Sequence, residues 1–104
     1  MLFELDASGK VLYFKPEKKE ASDAEVAELV GLNFFTDVPA VAGAEELRER
    51  FHGFRRGHAP AGSFIYNFPA EHWGGRAKVM LARVHEQSVL GNVDSILVDI
   101  REAA

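Results

Sequence analysis

At 104 residues, 47% hydrophobic and 27% charged, the chain is long enough for one packed core and too short for two, and it reads as a single domain spanning 1–104. Its net charge of −4 argues against a nucleic-acid surface, which needs a basic face. Cysteine is absent, which excludes disulfides, thiolate catalysis and cysteine-held metals, and no apolar run approaches the roughly 20 residues of a membrane span.

The first strand signals flank a tight turn. Leu2, Phe3 and Leu5 lead into Asp6-Ala7-Ser8-Gly9, and Val11, Leu12, Tyr13 and Phe14 follow, so a β-hairpin is expected. Glu4 and Asp6 stand where a signal peptide would be basic and then apolar, so the expected location is the cytoplasm. Pro16 breaks the strand pattern. Ser22-Asp23-Ala24-Glu25 then makes an S-x-x-E capping box ahead of Val26, Leu29 and Val30, which predicts a short helix over 23–30 ended by Gly31.

Residues 31–41, GLNFFTDVPAV, are the stretch around which the rest is arranged. Burying one phenylalanine ring is worth about 2 kcal/mol, so Phe34 and Phe35 must plug into a core made elsewhere. Asn33 can cap a short turn, Asp37 can accept bonds from backbone amides, and Pro39 prevents smooth continuation. The segment reads as a wall or lid over a pocket. Asp37 and Glu71 as an acid/base pair have no supporting context, and Asp37 fits a role in its own turn better.

Residues 44–56 carry Leu47, Phe51 and Phe54 at helical spacing, with Glu45 and Glu46 early and Arg55 and Arg56 late, as the helix dipole favours. Gly57 is the stop, and 58–62 read as a loop. The remainder is β: 63–68 places Phe64, Tyr66 and Phe68 on one face, and 76–85 and 93–101 give two longer strands, joined by loops at 71–75 and 86–92. Gly74-Gly75 reads as a hairpin turn, and Trp73 as either a lid or a surface anchor. Two strands, helices and three strands predict an α+β fold, a five-stranded antiparallel sheet with helices grouped on one face.

That order, with Gly31-Leu32-Asn33-Phe34-Phe35-Thr36-Asp37-Val38 and Phe64-Ile65-Tyr66-Asn67-Phe68, resembles a PAS domain of the photoactive yellow protein branch, and the likeness runs without gaps over about 2–84. The resemblance implies a sensory or interaction domain of signal transduction, with a cavity between helices and sheet. It also implies where the light-sensing chemistry fails. The family's chromophore-bearing cysteine corresponds to Val41, its phenolate-holding tyrosine and glutamic acid to Phe14 and Lys18, and its threonine and arginine to Ser22 and Ala24. A thioester needs a thiol, and a buried phenolate needs donors, so no hydroxycinnamoyl chromophore is expected.

Two uses of such a fold remain. One is a small-ligand receptor with a pocket walled by Phe14, Val30, Phe34, Phe35, Val41, Leu47 and Phe51; the other is an interaction module whose core is solid, which the large side chains at positions 14 and 41 favour. The resemblance also raises haem, because the main helix supplies the axial histidine in one class of PAS domains, and His52 lies on it. Its place about 100° around the helix from Phe51 suits a boundary residue better. His58, His72 and His85 have no second ligand at helical spacing, and no nucleophile elbow, phosphate loop or HExxH appears, so neither a metal site nor an enzyme is expected.

Apolar residues fall on both faces of the last two strands. Val79 and Leu81 oppose Met80, Ala82 and Val84, and Ile96, Val98 and Ile100 oppose Val93 and Leu97. A homodimer through the sheet or the N-terminal hairpin is therefore expected, with a signalling output domain or partner protein as the other expected contact.

Overall fold

Alternation along the strands decides what goes inside. The computed structural model describes residues 1–15, 28–38, 41, 44–68, 76–88 and 91–102. Within these, β1 (Leu2–Leu5), β2 (Val11–Lys15), the helix α1 (Glu45–Arg56), β3 (Ala61–Asn67), β4 (Arg76–Ser88) and β5 (Gly91–Glu102) follow in chain order. The strands form one antiparallel sheet in the order β2-β1-β5-β4-β3, so the chain leaves β2 at one edge and re-enters at the other.

One face of that sheet is the floor of the core. Phe3 and Leu5 of β1, Val11 and Phe14 of β2, Ala77, Val79 and Leu81 of β4, and Ile96, Val98 and Ile100 of β5 are all buried there. Leu47 and Phe51 of α1 join the same cluster, with Phe34, Phe35, Val38 and Val41 from the segment before the helix. Period two on the strands and period 3.6 on the helix thus meet at one interface.

A bulge explains the odd pattern of β2. Glu4 pairs with Tyr13 but Leu5 pairs with Val11, leaving Leu12 as the extra residue, so Leu12 and Tyr13 both face outward between buried Val11 and Phe14. The free side of β2 is partly occupied. Val11 N–H donates to Leu32 O and Gly31 N–H to Val11 O, both at 2.8 Å, and Lys10 pairs with Asn33 as an isolated bridge.

Two sequence readings of element ends need correction. The loop read at 86–92 is largely strand: the β4–β5 ladder continues to Ser88 opposite Gly91, leaving only two residues between the strands. Gln87, Ser88, Gly91 and Asn92 look like loop formers, but a hairpin ladder already in register extends through such residues when each gains backbone hydrogen bonds. For the same reason Ala61 and Gly62, read as loop, pair with Ala82 and Leu81. The helix reading stands, with Ala44 as N-cap and Gly57 N–H closing the far end on the Gly53 and Phe54 carbonyls. Of the short helix read over 23–30, only the end falls among the described residues: Glu28 and Leu29 are helical, and the turn at Val30 and Gly31 follows. The hairpin turn read at Gly74-Gly75 lies outside the described residues.

Candidate functional site

The Asn33-Phe34-Phe35 turn is built from local polar bonds that aim two rings inward. Asn33 Oδ1 accepts from the backbone N–H of Phe35 at 2.9 Å and of Thr36 at 3.2 Å, while Asp37 Oδ2 accepts from Asn33 N–H at 3.0 Å. Asn33 Nδ2 donates to Ser8 O at 3.2 Å, and Phe34 N–H donates to Gly9 O at 2.8 Å, so the turn is also tied to the first hairpin. That hairpin turn is held by Asp6 Oδ1, which accepts from Ser8 N–H, Ser8 Oγ–H and Lys10 N–H. Partial burial alone would raise the Asp6 carboxyl, but the bonds from Ser8 and Lys10 outweigh it and hold it below its ordinary value.

The rings then stack in sequence from sheet to helix. Phe14 meets Phe3 at 4.8 Å between centroids, Phe3 meets Phe34 at 4.7 Å, Phe34 meets Phe35 at 5.1 Å, and Phe35 meets Phe51 at 5.0 Å. These spacings are those of rings in direct contact, with no room for a further layer between them. Six of the seven residues read as pocket walls, Phe14, Phe34, Phe35, Val41, Leu47 and Phe51, therefore come together as packed core. Val30 does not join them, being 45% exposed. Phe3 completes the ladder, and the sequence reading gave it only as part of the first strand.

His52 sits at the margin of this ladder, half-buried, its ring 6.1 Å from Phe35 and 5.3 Å from Phe51. Burial first, and then the charges of Arg55, Arg48 and Arg56, push its pKa below the ordinary histidine value. A neutral imidazole suits a haem ligand. The near neighbours of His52 are the rings of Phe35 and Phe51, which pack beside it as part of the core margin.

Among the described residues, shallow recesses lie outside the core. One, of about 180 Å³, is bordered by Ala7, Arg55, Arg83, Asp94, Ser95 and Ile96. Asp94 there is bonded to His85 Nδ1, and the Arg83 guanidinium is spent on the end of α1, donating to Phe54 O at 2.6 Å, Gly57 O at 3.0 Å and Arg55 O at 3.2 Å. Another, of about 270 Å³, is bordered by Phe35, Thr36, Ala44, Glu45 and Arg48.

Sequence reasoning gave Arg83 no role, although it is the most heavily bonded side chain of this region; nothing local in the sequence signals bonds that span 24 to 29 residues. Lys18, Ser22, Ala24, Glu71, His72 and Trp73 lie outside the described residues. Among the described residues no group of three or more His, Asp or Glu is placed to hold a metal ion, and no helix is long and apolar enough to cross a membrane. No protein-family model matches the chain, and no curated protein matches it.

Proposed function

We propose that the chain is a PAS-like sensory and interaction module of signal transduction, which acts in the cytoplasm by binding protein partners, first a second copy of itself, and not by turning over a substrate. The observation that carries this reading is the contrast between the two faces of the sheet. The inner face is filled by rings in contact, which leaves a small ligand little to occupy. The outer face presents Tyr13, Ile65 and Met80 at 49%, 47% and 43% exposure, interspersed with the half-buried Leu2, Ala82, Val84 and Leu97. Exposed apolar side chains set among Glu4, Lys78 and Asp99 of the same face make a mixed surface that suits a protein partner.

Support for the PAS-like part of the reading comes from the sequence motifs at 31–38 and 64–68 together with the order of the described elements, two strands, a helical crossover and three strands in one antiparallel sheet. The missing thiol and the phenylalanine at position 14 separate the chain from hydroxycinnamate chemistry. Sedimentation equilibrium at tens of micromolar tests the self-association. A species of twice 11.5 kDa is expected, and a single species of 11.5 kDa across the whole concentration range would sink the reading.

A further inference from the structure

The strand β3 ends the sheet: it is hydrogen-bonded to β4 on one side, and among the described residues no strand pairs with its other side. Which of its backbone groups face the open side follows from the ladder. Arg83 N–H donates to Pro60 O at 3.0 Å, and these two residues are opposite one another in the β3–β4 register. Hydrogen-bonded and non-bonded pairs alternate along an antiparallel ladder. Gly62, Phe64 and Tyr66 therefore exchange their bonds with β4, whereas Ala61, Ser63, Ile65 and Asn67 direct their N–H and C=O groups away from the sheet.

Natural sheets blunt such an edge with lysine, proline, a bulge or a very short strand. This one has none of these protections. Its seven residues, AGSFIYN, include no charge and no proline, and its register with β4 runs unbroken from Ala61 to Asn67. Ala61, Gly62, Ser63, Ile65 and Asn67 are all exposed. By contrast, the opposite edge of the sheet is already met by Gly31, Leu32 and Asn33.

We infer that β3 pairs antiparallel with β3 of a second copy about a two-fold axis at Phe64, so that the two sheets become one; this rests on the self-association proposed above but places it at the sheet edge, leaving the outer face to a different partner. The argument for a second copy is the match of the strand to itself. With the axis at Phe64, Ala61 faces the partner's Asn67 and Ser63 faces the partner's Ile65, so all four outward-pointing residues exchange backbone bonds. On the helix side Phe64 meets the partner's Phe64, an aromatic pair of the kind that stabilises sheets. Gly62 meets the partner's Tyr66, a ring laid over an edge glycine. Phe54 already lies 3.7 Å from where a Cβ on Gly62 would sit, so Gly62 is flanked by aromatic carbon from within its own chain. Small residues thus oppose larger ones on either side of the central Phe64 pair, and the strand itself carries no charge, the nearest being Arg50, 4.7 Å over each Phe64 ring.

The register makes the test specific, because Ser63 and Ile65 face each other across the axis and not themselves. The variant Ser63→Lys with Ile65→Lys puts like charges opposite twice, and Ser63→Glu with Ile65→Lys puts opposite charges there. Leu97→Glu alters the outer face two strands in from the edge. Each protein is first checked for wild-type circular dichroism and then taken to sedimentation equilibrium. The wild type, Leu97→Glu and the Glu/Lys variant are expected to sediment as dimers, and the Lys/Lys variant to associate about tenfold or more weakly. A dimer unaffected by Lys/Lys, lost in Leu97→Glu, or weakened equally by Lys/Lys and Glu/Lys overturns the edge pairing and leaves the self-association reading standing. A wild type that is monomeric throughout overturns both, whether or not a foreign extended peptide binds the edge.

Discussion

Gly9 and Gly31 carry the two positive φ angles among the described residues, +91° and +93°, and they show how much a single position owes to its surroundings. Both were legible as chain-turning glycines, one in a hairpin turn and one at a helix end. Only the folded chain separates them. A Cβ on Gly9 would stand 2.9 Å from Cδ2 of Phe35, a ring held in the core, while one on Gly31 would meet nothing within 4 Å. Gly31→Ala should therefore cost about 1 kcal/mol, the backbone term alone, and Gly9→Ala about 3 kcal/mol, since a steric term is added. Urea unfolding midpoints check this, and equal losses at the two positions would remove the claimed contact between the first turn and Phe35.

The helix α1 was legible at element scale because its apolar stripe, its charged ends and Gly57 all agree. What fastens its last turn was not. Arg83 reaches from β4 with its guanidinium 5.0 Å over the Phe54 ring and donates to the carbonyls of Phe54, Arg55, Gly57 and Ala59. Phe54 and Arg55 belong to the last turn, where carbonyls run short of intrahelical donors, and Gly57 and Ala59 lie just past the helix end. Arg83→Met keeps the aliphatic stem and removes the donors, so a loss of about 2 to 3 kcal/mol is expected, with faster amide exchange at Gly57 and in the last turn of α1. Arg83→Lys should recover only part of it, because an ammonium cannot span the same fork of acceptors. Unchanged exchange in Arg83→Met would mean that the helix end holds itself. The ends of β4 and β5 belong to the same lesson: polar residues at 87, 88, 91 and 92 look like loop until a partner strand is in register beside them.

Across the whole molecule the phenylalanine ladder is the connection between sheet and helix, from Phe14 and Phe3 through Phe34 and Phe35 to Phe51. Phe34 is fully buried in the middle of it, so Phe34→Ala removes both transfer energy and contacts on two sides, and should cost about 3 to 5 kcal/mol. Val30, read from sequence as part of the same wall, is exposed, and Val30→Ala should stay within about 0.5 kcal/mol of the parent. Thermal melts of the two variants side by side decide between a core that rests on the 34–35 turn and one that does not. The sequence by itself determined that Phe34 and Phe35 must be inside, that the fold is α+β, and that apolar residues fall on both faces of the sheet, because hydrophobic periodicity and composition are local properties. Whether the inner rings would wall a pocket or fill it, which of the described strands would end the sheet, and which arginine would close the helix were decided by the tertiary structure. Each depends on distances between residues far apart in the chain, and a single sequence carries no direct record of those distances.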